Sequence, residues 1–286
     1  MRNKKPAFTL IELLVVIAII ALLLAIIIPS LKRAKEKAQF LFCEFNLKAY
    51  GLTMKLYLNE NDEKYPWCYD SMFYADFTGL GFTIPLDCQW HDKRISPNNT
   101  PQFAGPLWPY MDSDAAHMCP TFKTFAKAYG ELHPNHNINT DPPINPQYAY
   151  SQNAFLGQSR DQPDGKIYGV LRESEVVSPA ETLVWVEETI WIIDPYWTGW
   201  TLNDTMFFSR HKDDPTQWGD FIATYHNTPI DKKDDGLGNA VFVDGHVQLN
   251  DPYRVVQLAG GGEARQGFIL SWPRKGKLSS TIPYDP

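Results

Sequence analysis

The apolar and polar positions of the chain fall into three regimes. Residues 8–28 form an almost unbroken apolar run of Phe, Leu, Ile, Val and Ala, interrupted by Thr9 and by one ionisable side chain, Glu12. A helix of about 20 apolar residues crosses the roughly 30 Å of bilayer hydrocarbon, so this run predicts a membrane-spanning helix. After Pro29, Ala38, Phe42, Phe45, Ala49, Leu52 and Leu56 recur at spacings of three and four. That spacing predicts an amphipathic continuation with one apolar face. Lys32, Arg33, Lys35, Glu36 and Lys37 project into water or toward headgroups. Pro29 lacks a backbone donor and predicts a kink. Gly51 weakens the helix by about 1 kcal/mol relative to Ala. Residues 59–65 are polar and turn-like, so the helix ends there. A helix over 8–58 would be about 75 Å long at 1.5 Å per residue, its second half packing on the body.

The third regime is the body. Residues 67–148, rich in aromatics, Pro and Asn, read as a loop-rich insertion with a short helix over 121–129. Strands are predicted at 148–151, at 182–186 after the Ser178-Pro179-Ala180 turn, at 189–193 and at 239–243. Asp244-Gly245 between apolar runs is a turn signal and predicts a hairpin pairing 240–243 with 246–249. Helix first and strands afterwards gives an α+β fold, with a long N-terminal transmembrane and stem helix packed on an antiparallel β-sheet carrying long loop insertions.

Composition narrows the function classes. The 286 residues are 44% hydrophobic with a formal charge of -7. Arg2, Lys4 and Lys5 precede the apolar run; without them the 26 basic side chains fall to 23 against 33 acidic ones, a balance of -10. An acidic body without a dense basic patch argues against a nucleic-acid partner. Cys43, Cys68, Cys88 and Cys119 suit an exported protein with up to two disulfides. They allow three pairings, and none forms the C-x-x-C of a zinc ribbon or redox motif.

The apolar run is too long for a secretory signal peptide and is followed by no small-x-small cleavage site. As a plain anchor it fits, with the basic residues before it holding the N-terminus in the cytoplasm. That reading leaves Glu12 unexplained, since an acidic residue deep in a bilayer costs about 2.5 to 3.5 kcal/mol on insertion scales. The stretch Pro6-Ala7-Phe8-Thr9-Leu10-Ile11-Glu12 resembles the processing site of type IV pilins and pseudopilins. The resemblance implies cleavage between Ala7 and Phe8 by a prepilin peptidase and N-methylation of Phe8. The family usually has Gly before the cut, where this chain has Ala7. Glu12 then becomes an assembly residue. The new ammonium at Phe8 and the Glu12 carboxylate of a neighbouring copy relieve each other's desolvation and fix the stagger between helices.

The resemblance further implies a pseudopilin subunit of a type II secretion or type IV pilus-type filament rather than an enzyme. Its partners would be prepilin peptidase, other pilin-like subunits, an assembly ATPase and an inner-membrane platform protein. It implies a single-pass inner-membrane protein with a periplasmic body that later joins an exocytoplasmic filament. The expected organisation is a leader over 1–7, the transmembrane half of the helix over 8–28, the amphipathic stem over 29–60 and the globular body over 61–286. The alternative is a membrane-anchored exocytoplasmic module that binds polysaccharide or another surface ligand through its many Trp and Tyr.

Cys43-Glu44-Phe45-Asn46-Leu47, the acidic turn ending in Tyr65-Pro66, and Asp244-Gly245-His246 resemble a group of pilin-like proteins with a C-terminal H-x9-DG element, abundant in planctomycete-type bacteria. Position 234, where that spacing needs His, is Asp234, so an insertion separates the element from its histidine, either His211 or His226. Met118-Cys119-Pro120 resembles the Cys-Pro element of the same group; of the three pairings, Cys43 with Cys119 and Cys68 with Cys88 is the one put forward. Asp244 is expected to cap its turn. No cofactor is required; Asp231, Asp234, Asp235 and Asp244 are the candidate Ca²⁺ ligands, as hard oxygen donors on one loop. His133 and His136 lie on a non-helical loop with no acidic third ligand beside them. No G-x-S-x-G nucleophile context accompanies the histidines.

Overall fold

The computed structural model describes residues 9–68, 70–73, 90, 96–132, 143–157, 169–191, 202, 205–207, 220–252, 254–257, 263–265, 270–271 and 273. The chain divides into two compact units, Met1–Leu41 and Phe42–Pro286. Helix α1, Leu10–Glu60, begins in the first unit and ends in the second.

In the first unit, every described residue up to position 38 is exposed. The helix continues through Pro29, where the Ser30 hydroxyl donates to the Ile27 carbonyl at 2.8 Å. This is the one helix among the described residues long and apolar enough to cross a membrane.

The second unit is an α+β body. The last turns of α1 bury Cys43, Leu47, Tyr50, Gly51, Met54 and Leu58, a stripe with its own three- and four-residue spacing. The stripe expected from the sequence points elsewhere: Phe42, Phe45 and Leu52 are 62%, 64% and 61% exposed. Both faces of this segment are apolar, so periodicity alone selects neither. Gly51 sits where a Cβ would come within 2.9 Å of Val241 Cγ2. Its helix cost therefore accompanies a close approach between helix and sheet.

The main sheet runs β3-β1-β2-β4-β5, with β1 at Tyr150–Asn153, β2 at Leu183–Glu187, β3 at Met206–Phe207, β4 at Gly238–Phe242 and β5 at Val247–Asn250. All neighbours pair antiparallel except β1 and β3, which are parallel. The Asp244-Gly245 hairpin forms, with Gly245 at φ 91°. A separate ladder joins β6, Val255–Gln257, to β7, Glu263–Arg265. The short helix is α2, Pro120–Tyr129, with Cys119 as N-cap and Pro120 in its first turn, a position where the missing N–H is harmless.

The strand expected at 189–193 does not form over its described part. After β2, Glu188 makes a single bridge to Ile222, and the Thr189 hydroxyl accepts the Trp191 N–H at 3.4 Å, closing a local turn. Trp191 then packs among Phe125, Tyr129 and Tyr225. Thr, Ile and Trp carry strand propensity, but here the hydroxyl offers the backbone a local alternative.

Aromatic side chains fill the core. Tyr50 of α1 contacts the rings of Trp185, Tyr150 and His117 at 4.7, 5.0 and 5.6 Å. Its hydroxyl shares a 2.7 Å hydrogen bond with His117 Nδ1, and Trp108 stacks on His117 at 4.8 Å. Burial lowers the His117 imidazole from 6.5 to about 4, because an imidazolium there would lose its hydration. The ring is neutral at physiological pH. Trp90, Trp108, Trp185 and Trp191 are buried, while Trp67 is exposed. Most tryptophans among the described residues are therefore core.

Candidate functional site

Helix α1 starts with Thr9-Leu10-Ile11-Glu12. The Thr9 N–H and hydroxyl both donate to Glu12 Oε2, at 2.8 and 2.7 Å, and the Glu12 N–H donates back to Thr9 Oγ1 at 3.3 Å. This is the reciprocal arrangement of a capping box, T-x-x-E, in which two of the four orphan donors of a helix start are satisfied. Sequence reasoning assigned Glu12 to assembly and overlooked its second task, although the T-x-x-E spacing was readable. The two tasks are compatible: both Thr9 bonds end on one oxygen, and an ionised carboxylate offers about four acceptor sites. Ala7 and Phe8 lie outside the described residues.

In the body, Cys43 and Cys119 form a disulfide that spans 76 residues of sequence and ties α1 to the start of α2. Cys68 is buried; Cys88 lies outside the described residues, and the expected Cys68–Cys88 pair with it. His133, His136 and His211 also lie outside them.

His226 is buried and pairs with Leu237 through reciprocal backbone bonds of 2.9 and 2.8 Å. The intervening residues 227–236 loop out between these closed ends, so His226 sits beside the start of β4 despite its long sequence distance from Asp244-Gly245. His226 Nε2 lies 2.9 and 3.0 Å from the two carboxylate oxygens of Glu187, the last residue of β2, and 3.9 Å from Cys119 Sγ. Glu187 Oε2 also accepts the Asn239 N–H at 2.8 Å. Sequence reasoning missed Glu187: it closes an otherwise apolar strand, Leu-Val-Trp-Val-Glu, and only the fold shows that it points into the core.

Of the four acidic candidates, Asp234 and Asp244 make side-chain contacts of their own. Asp234 accepts the Trp191 indole N–H at 2.8 Å and pairs with Lys233 at 2.6 Å. Asp231 lies in the short helical turn Ile230–Lys232, and the Asp235 N–H closes onto Lys232 O. Asp244 accepts the His246 N–H at 3.1 Å and its Nδ1 at 2.6 Å, capping the hairpin turn. Among the described residues, a separate group of potential ligands converges at Cys43, Cys119, Glu187 and His226.

No curated protein and no solved structure matches the chain. Residues 2–28 match the family model of the prokaryotic N-terminal methylation motif, so the segment holding Phe8 and Glu12 is a type IV pilin-like prepilin motif.

Proposed function

We propose that the chain is a pseudopilin-type subunit of a type II secretion or type IV pilus-type filament. A prepilin peptidase cleaves between Ala7 and Phe8 and methylates the new amine. The helix is then drawn out of the bilayer by an assembly ATPase and its platform protein and re-buried among other pilin-like subunits. The role is mechanical rather than catalytic. The observation that carries it is the methylation motif over residues 2–28, with a single acid placed in the first turn of the apolar helix. Two features add support. The described residues of the apolar run are all exposed, and Phe42, Phe45, Leu52 and Leu56 present a second exposed stripe. Fully burying one side chain of this second stripe from water is worth about 1.5–3 kcal/mol, which neighbouring copies would supply.

Substitutions at the helix start separate the two tasks of Glu12. Glu12→Gln keeps an acceptor for the Thr9 cap and removes the charge. Thr9→Ala removes the hydroxyl bonds of the cap, worth about 1 kcal/mol, and keeps the charge. In native cells, membrane fractionation should find both variants inserted. Sheared filaments should contain Thr9→Ala and lack Glu12→Gln and Glu12→Ala. Filaments of Glu12→Gln at wild-type level would refute charge pairing as the basis of assembly.

A further inference from the structure

The body carries a buried polar cluster that the filament reading does not use. Cys43, Cys119 and Glu187 are fully buried, and His226 is 3% exposed. An ionisable carboxylate and an imidazole in a core lose hydration that an apolar pair would not, so their presence beside a disulfide calls for a chemical reason. Their ligand atoms, two Sγ, one carboxylate oxygen and Nε2, all lie within 4.8 Å of one another. Two thiolates, an imidazole and a carboxylate are a zinc donor set. In a tetrahedral site, bonds of about 2.3 Å to sulfur and 2.0–2.1 Å to nitrogen and oxygen hold neighbouring ligands roughly 3.3–3.8 Å apart. The Cys119 sulfur is already 3.9 Å from His226 Nε2.

We propose that Cys43, Cys119, Glu187 and His226 hold one Zn²⁺ when the two cysteines are reduced, so that the disulfide and the metal are alternative staples of the same junction. The remaining geometry favours this. The Phe122 N–H at the start of α2 points at Cys119 Sγ, 3.4 Å away, and a helix N-terminus stabilises a thiolate. The Asn239 N–H donates to Glu187 Oε2, the kind of outer support that orients metal ligands. Four protein ligands close the site, so the ion has a structural role and no open position for catalysis. The conversion balances with a dithiol as reductant. The S–S bond breaks and takes up two electrons and two protons, the dithiol closes to its own disulfide, and Zn²⁺ binding then releases both cysteine thiol protons to solvent.

The test uses the full chain in detergent. It is reduced anaerobically with a phosphine, because a dithiol would compete for metal, and is given Co²⁺ as the spectroscopic substitute for Zn²⁺. The reduced chain should bind one Co²⁺, with thiolate-to-cobalt charge-transfer absorption and the intense visible bands of a tetrahedral site, and Zn²⁺ should displace it. Oxidised chain should bind none. Cys43→Ser and His226→Gln should each lose the charge-transfer and tetrahedral signature, with cooperative melting of oxidised His226→Gln showing that this variant folds. A reduced wild-type chain that takes up no cobalt, or a His226→Gln spectrum identical to wild type, would overturn the proposal.

Discussion

Two stretches of one helix, residues 10–41 and 42–60, solve different problems with similar residues. In the first, residues 13–28 are Ile, Leu, Val and Ala on every side, and no residue over 10–38 is buried. No side of that run differs from another, as suits a helix surrounded by lipid. In the second, two apolar stripes lie side by side with different vocabularies. The buried stripe uses Cys43, Tyr50 and Gly51, residues that form a crosslink, a hydrogen bond and a close approach. The exposed stripe uses Phe42, Phe45, Leu52 and Leu56, which offer bulk and no directional contact. Chemical variety therefore marks the face committed to this chain's own fold, and uniform bulk marks the face that fold leaves exposed.

The contrast is open to attack by substitution, with thermal or urea melts of the full chain in detergent as the readout. Tyr50→Ala should be the most damaging, since truncating a large buried aromatic typically removes about 3–5 kcal/mol. His117 gives a pH signature next in size. Its folded value of about 4 lies below the ordinary 6.5. Its contribution is therefore complete above pH 6.5 and is lost as pH falls toward 4, because the unfolded chain takes up the proton first. The loss approaches about 3 kcal/mol, and His117→Gln should remove that share of the pH dependence. Gly51→Ala should destabilise by about 1 kcal/mol net, the clash with Val241 outweighing the gain in helix propensity. Phe45→Ser on the exposed stripe should change the melt by less than about 0.5 kcal/mol while lowering recovery in filaments. A Phe45→Ser loss as large as that of Tyr50→Ala would erase the distinction between the faces.

The α+β class, the membrane-length helix, the Asp244-Gly245 hairpin and the short helix after Cys119 were all legible in the sequence, because each rests on local periodicity or turn chemistry. The identity of the body-facing stripe was not: 42/45/52/56 and 43/47/50/54/58 both satisfy helical spacing, and only tertiary contact decides. The segment after β2 misled because strand propensity gave way to the side-chain bond of Thr189. The cluster around His226 was hidden for a different reason. Its members come from α1, the start of α2, β2 and the loop end bridged to Leu237, far apart in sequence, and the looped-out residues 227–236 obscured where His226 belongs. Conversely, the capping partner of Glu12 stood three residues away and could have been found.

The account's central claim concerns the amine beside that acid. Mass spectrometry of the N-terminal peptide from chain recovered from native membranes and filaments tests it directly. The account predicts a peptide beginning at Phe8 and heavier by one methyl group. An intact N-terminus carrying Met1 to Ala7 in the same fractions would contradict it and leave Glu12 with its helix cap alone.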